Sequence, residues 1–389
     1  MLKQAVKKIL IALLPLLLSG CFVTDYFWGD EEEEVNLATP LTEIETSVTL
    51  SQRFAVSVGA GNDERYLHLY PMVVEDTIFI VDANGELSAI DRETGRQIWE
   101  RDTDQDITAG VGVLDEELLL VGNNLGEVVA YQQEDGQEVW RIEVGSEILA
   151  PPVGADNHVI VYAINNSVYG LAAVNGELDW QINNSMPALV LRANSPPLIL
   201  NDQIVYLGLS NGRVIAFNIS NGRRLWEHMV TMPRGRSELQ RMVDISGQMA
   251  LVDDTLYVVT FQGRVAALAT ATGRERWHRN MSSYTGLSAN EEYVTLSDDK
   301  DTVWLLSAKN GTTVWQQEAL LYRGLSTPIF WRDYLVVGDK EGYIHILSLE
   351  DGSILGRTKV GGDGISTPPF VVDDTLYVLT NNGRLFAFR

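Results

Sequence analysis

Residues 366–389 read "STPPFVVDDTLYVLTNNGRLFAFR", apolar and alternating runs parted by Asp-Asp and Asn-Asn-Gly. Period-two alternation bounded by turn formers predicts short strands joined by tight hairpins. Upstream, the same unit runs on through a second turn, "DRETG" at 91–95 or "ISNG" at 219–222, into a fourth run that carries a tryptophan. Each unit is therefore expected to fold as a four-stranded antiparallel meander.

A glycine with a tryptophan four residues later marks this unit at Gly95 and Trp99, Gly136 and Trp140, Gly176 and Trp180, Gly222 and Trp226, Gly273 and Trp277, and Gly311 and Trp315. The pattern breaks once, where Gly352 is followed by Gly356. Hairpin glycines at Gly85, Gly126, Gly212, Gly263, Gly342 and Gly383, with Asn166 and Asp301 at the equivalent places, mark eight units spaced 38 to 51 residues apart. Asn and Asp tolerate the left-handed backbone of such a turn, so both exceptions keep its chemistry. That spacing, in units made only of strands, predicts a propeller and not a helical solenoid. Ala89, Ala130, Gly170, Ala216 and Ala267 stand ten residues before their tryptophans, with Leu305 the exception. Each indole is expected to pack between adjacent sheets and to donate its ring N–H to a backbone acceptor.

The eighth unit stops at Arg389 after three strands. An unpaired edge invites aggregation, and a ring removes it by joining its two ends. The segment "TLSQRFAVSV", 49–58, alternates like a strand and places Phe54 45 residues before Trp99, where the preceding unit's tryptophan would fall. The expected fold is all-β: an eight-bladed β-propeller of four-stranded antiparallel blades over residues 48–389, its last blade closed by an N-terminal strand.

The N-terminus follows a different logic. Lys3, Lys7 and Lys8 precede the apolar run "ILIALLPLLL", which is too short for a spanning helix and ends in "LSGC" at 18–21. This is a secretory signal with a cleavage site. Leu18-Ser19-Gly20 before Cys21 resembles the bacterial lipobox, which implies removal of residues 1–20 and lipid on Cys21. Cys21 is the only cysteine, so no structural disulfide remains. Phe22 stands where an aspartate would commonly signal inner-membrane retention, which implies the outer membrane, with the protein facing the periplasm. Residues 21–47, with four consecutive glutamates at 31–34, read as an extended acidic tether.

Charge narrows the partners. The chain carries −24, and removing residues 1–20 takes three lysines and no acids, leaving −27. Phosphate binding needs a basic footprint, so the charge argues against nucleic acid as a partner, and unaided adhesion to anionic lipid is disfavoured.

The motif A-x-D-x-x-T-G-x-x-x-W is complete in "AIDRETGRQIW" (89–99) and partial in "AYQQEDGQEVW" (130–140) and "AFNISNGRRLW" (216–226). It resembles the tryptophan-docking repeat of pyrroloquinoline-quinone-type propellers. With the lipobox, the acidic tether and eight repeats, the whole mature chain resembles the propeller lipoproteins of the outer-membrane β-barrel assembly machinery. The resemblance implies a non-enzymatic scaffold without cofactor. It would bind the periplasmic domains of a central, BamA-like barrel subunit and support folding and insertion of β-barrel proteins, with unfolded outer-membrane proteins as further contacts.

The resemblance also implies contact residues. Leu189-Val190-Leu191-Arg192 resembles the family's leucine-x-leucine-arginine stretch, and Asp244-Ile245-Ser246 keeps the first acid of its aspartate-x-aspartate stretch but has serine for the second. Exposed leucines beside a forked arginine donor make a sound anchor. The alternatives are that Leu189 and Leu191 are alternating core residues of an ordinary strand, and that Arg192 and Asp244 simply pair with each other. Two segments that lengthen interblade links, 186–197 and 231–246, contain these residues.

A quinone-dependent periplasmic oxidoreductase is the rival reading, and a scaffold of another envelope complex a third. By the same resemblance, such enzymes carry a calcium site, a catalytic aspartate and usually a disulfide of adjacent cysteines. Here "SDDKDT", 297–302, lacks the glycine and terminal glutamate of an EF-hand and falls where other units have their hairpin, so it reads as a turn. His68, His158, His228, His278 and His345 have no metal-ligand spacing. "GAGNDE" (59–64) and "GVGVLD" (110–115) open no helix, which phosphate binding of that kind requires, and read as interblade turns.

Overall fold

The computed structural model describes residues 37–115 and 117–389. Within them, the chain forms eight four-stranded antiparallel sheets. Seven sheets take four consecutive strands in chain order, from Met72–Val74 through Gln97–Asp102 in the first blade to Ile329–Trp331 through Ile354–Lys359 in the seventh. The eighth joins Phe370–Val372, Thr375–Leu379 and Arg384–Phe388 to Gln52–Ser57. The signal segment, Cys21 and the glutamate run lie outside the described residues.

Burial follows strand position. Second strands such as Thr77–Val81 and Leu118–Gly122 are buried on both faces, whereas fourth strands such as Gln97–Asp102 are mostly exposed. The core accordingly sits between neighbouring sheets: Phe79 and Val81 of the first blade share one apolar cluster with Leu119 and Val121 of the second.

The tryptophans bridge these layers. Trp99, Trp140, Trp180, Trp226, Trp277 and Trp315 each donate Nε1–H to a backbone carbonyl of the next blade, at Gln133, Ala173, Ile219, Thr270, Ala308 and Leu349, over 2.7–3.0 Å. The residue ten positions earlier is the cross-strand partner of each indole, as in Ala89 with Trp99 and Leu305 with Trp315. The repeating glycine belongs to the same joint. A Cβ on Gly273 would stand 2.4 Å from Trp226, so the turn of one blade must be bare where the indole of the previous blade lies against it.

The ring closes as its edge requires. Gln52–Ser57 pairs antiparallel with Arg384–Phe388, and Phe54 faces Ala387 as Trp99 faces Ala89. Tyr377 adds a hydrogen bond to the Arg92 carbonyl at 2.9 Å, and Arg92 pairs with Asp373 at 2.6 Å, both across the seam.

Two expectations need correction. The compact unit begins at Thr39, so residues 39–47, read above as tether, are docked on the seventh blade. The N–H groups of Ser47 and Val48 both point to the Leu355 carbonyl, at 2.9 and 3.1 Å, and Arg323 and Arg357 hold the carbonyls of Thr39 and Thr42. This strap explains the broken motif: Val48 O would stand 2.2 Å from a Cβ on Gly356, so no tryptophan fits there. Trp331 on the first strand makes the joint instead, donating to the Asp374 carbonyl at 2.9 Å. In the fifth blade the left-handed hairpin residue is Gln262 (φ 47°) and not Gly263. Gly263 is bare because a Cβ would crowd the Thr231 and Thr260 hydroxyls, which bond each other at 2.9 Å. Asn166 and Asp301 are left-handed as expected, at φ 63° and 66°.

Candidate functional site

A meander alternates its turns, so the hairpin between second and third strands shares one face of the ring with the links between blades. Five of the eight links hold six to eleven residues, and the longer ones are 58–71, 184–197 and 230–249. The first turns inward. With Tyr284, Lys340 and Asn382 it lines a cavity of about 590 Å³, and His68 lies half-buried between Tyr66 and Tyr70, where desolvation lowers the imidazole pKa. The other two present side chains to solvent.

Residues 184–197 form no strand, and Leu189 is 42% exposed with Leu191 half-buried. The reading of both leucines as alternating strand residues is thereby set aside. The loop is pinned at its start and near its middle. Asn184 donates to the Asn166 carbonyl at 3.0 Å and accepts from Arg224 at 2.8 Å, while the Leu191 N–H donates to Asp244 Oδ1 at 2.9 Å. Arg192 is exposed and pairs with Glu147, on the link between the second and third blades.

Asp244 therefore pairs with the Leu191 backbone and not with Arg192. It is fully buried, and its Oδ2 has no hydrogen-bond partner. Burial pushes its carboxyl up to about 7, against the opposing pull of the Leu191 N–H. Its own backbone carbonyl accepts from Phe261 N–H at 2.9 Å, which fixes the carboxylate in the body of the ring. Ser246, at the second motif position, spends its hydroxyl on the Tyr284 carbonyl at 3.0 Å. The motif residues thus divide: Leu189 and Arg192 reach the surface, and Asp244 holds the loop from beneath. Glu147 had no signal in the sequence, because it sits in a link of ordinary length.

The acidic cluster at 297–302 is occupied by backbone donors. Asp298 accepts from the N–H groups of Lys300 and Thr302, and Asp301 from those of Gly324 and Leu325, at 2.7–3.0 Å. Those bonds make the cluster a hairpin and a tie between blades.

A family model described as outer membrane protein assembly factor BamB matches residues 71–317, more than half of the chain. The chain belongs to the BamB family. A protein of that description from Pseudomonas aeruginosa is 39% identical over 348 residues, covering 90% of this chain and 91% of its own. The crystal structure of BamB from Moraxella catarrhalis superposes with a TM-score of 0.80 at 26% identity, covering 88% of this chain and all of that one. A quinohemoprotein alcohol dehydrogenase from Comamonas testosteroni also superposes, at a TM-score of 0.67 over 87% of this chain and 76% of its own. At 12% identity that likeness is one of fold alone.

Proposed function

We infer that this chain is a scaffold of the outer-membrane protein assembly complex that binds the periplasmic domains of the central BamA-like barrel subunit through the link at 184–197. Family membership makes it an outer-membrane protein assembly factor and not an enzyme. The contact reading rests on one observation: Leu189 and Arg192 are exposed on a loop whose backbone the buried Asp244 holds at Leu191. A loop fixed before binding loses little freedom on binding, so more of its interaction energy reaches affinity. Leucine supplies apolar area and arginine a planar fork for a carboxylate or carbonyl. Lipid on Cys21 would keep the scaffold at the outer membrane, facing the periplasm, beside the barrel it serves.

The test is capture of the barrel subunit's purified periplasmic domains by the full chain. Arg192→Glu and Leu189→Ala are each expected to weaken capture about tenfold or more while the melting temperature stays near that of the parent. A fall in stability that tracks the loss of capture would make these residues core and move the contact elsewhere.

A further inference from the structure

The link at 230–249 carries a feature that the motif residues do not explain. Residues 234–241 are exposed without interruption, and Met232 and Leu239 are 58% and 60% exposed. The short 3-10 turn Leu239–Arg241 buries none of its residues. Burial therefore does not explain the leucine, although the segment is well held. Gln240 Oε1 accepts the Arg236 N–H at 2.9 Å, the Arg241 N–H closes on the Glu238 carbonyl at 3.0 Å, and Gly235, at φ 126°, lets the Gln240 side chain pack against it where a Cβ would stand 2.4 Å away. The segment is a locally hydrogen-bonded tip with two apolar side chains facing water.

Its charge is opposite to that of the chain. Against a net −24, residues 232–241 hold Arg234, Arg236 and Arg241 with Glu238 as their one acid. Arg241 lies 3.7 Å from that glutamate. Among the described residues Arg234 and Arg236 have no ion-pair partner. Exposed apolar residues among unpaired arginines fit either an acidic protein surface or an anionic bilayer. The overall charge decides between them, because a body of −24 is repelled by a charged plane as a whole, whereas a protein patch of limited size engages the tip and leaves the rest of the ring outside the Debye length of about 8 Å.

We propose that Met232, Arg234, Arg236 and Leu239 form a second anchor for the same partner, seated on an acidic patch with an apolar recess on the barrel subunit's periplasmic domains. The inference rests on the reading of this chain as a scaffold for that subunit. The Leu191–Asp244 bond ties the tip's link to the loop at 184–197, so both anchors belong to one surface.

The experiment measures capture of the purified periplasmic domains by the full chain across a salt series. The Arg234→Glu/Arg236→Glu double variant is compared with Arg223→Glu/Arg274→Glu, which makes the same charge change in exposed turns on the opposite face. The tip variant is expected to lose affinity about tenfold or more at low salt and to flatten the salt dependence, while the opposite-face variant stays within about twofold of the parent. Leu239→Ala should weaken capture without changing the salt slope. Equal loss in both charge variants, or none in the tip variant while the parent binds, overturns the second anchor and leaves the first reading standing. Failure of the parent chain to bind overturns both. Binding of the parent chain to phosphatidylglycerol vesicles that the tip variant loses would make the occupant a membrane and overturn the proposal.

Discussion

Phe54 lies against Gly95: a Cβ on that glycine, held at φ +71°, would stand 2.4 Å from the Phe54 ring. The same contact recurs between each docking tryptophan and the turn glycine of the next blade, so the last blade meets the first through the joint used around the ring. Phe54→Ala should cost roughly 2–4 kcal/mol, and Gly95→Val should destabilise by steric conflict and backbone strain together. Deleting 48–58 should expose the third strand of the last blade and cause aggregation, whereas deleting 25–36 leaves the fold intact. Melting temperature and light scattering check all four. Unchanged solubility after deletion of 48–58 would mean that this strand does not close the ring.

Asp244 makes stability depend on pH in an unusual direction for an acid. Its folded-state pKa is raised to about 7, so between the unfolded value of 3.8 and about 7 the native state holds more protons than the unfolded chain. The stability it contributes is complete at low pH and is lost as pH rises through about 7. Asp244→Asn keeps an acceptor for the Leu191 N–H and removes the buried charge. Above pH 7.5 it should raise stability by on the order of 2 kcal/mol and flatten this part of the pH profile. A variant less stable than the parent at pH 8 would contradict the argument.

The indole hydrogen bonds separate from indole packing by substitution. Trp226→Phe keeps most of the ring and loses the bond to the Thr270 carbonyl, leaving that acceptor open at a cost of about 1–2 kcal/mol. Trp226→Ala also opens a cavity between the fourth and fifth blades, at roughly 3–5 kcal/mol. Chemical denaturation of the two variants measures the difference.

Gly356→Val should free the strap without opening the ring. The new side chain takes the place of the Val48 backbone, while Gln52–Ser57 remains paired with Arg384–Phe388. Limited proteolysis is expected to cut within 39–48 in the variant and not in the parent, with the remaining propeller resistant. Continued protection of those residues would show that the strap has another anchor.

The proposed lipidation of Cys21 has a direct readout. Cys21→Ser should abolish labelling by a radioactive fatty acid. Fractionation alone does not decide, since a partner can hold the unlipidated domain at the membrane.

Alternation, turn residues and the ten-residue offset between a small residue and its tryptophan determined the blades, their number and the closing strand. These signals are local: the offset is the length of one hairpin, so cross-strand pairing such as Ala216 with Trp226 is written into spacing. The tertiary structure alone decided which motif residues face water. Arg192 meets Glu147 across 45 positions, Leu191 meets Asp244 across 53, and the strap's Thr39 meets Arg323 across 284. No period connects such pairs, because each forms where two links or a strap happen to cross on the folded ring. The acid that the resemblance implied as a contact residue became a buried support for a backbone N–H for that reason: the nearest donor in space belonged to a loop that sequence spacing does not locate.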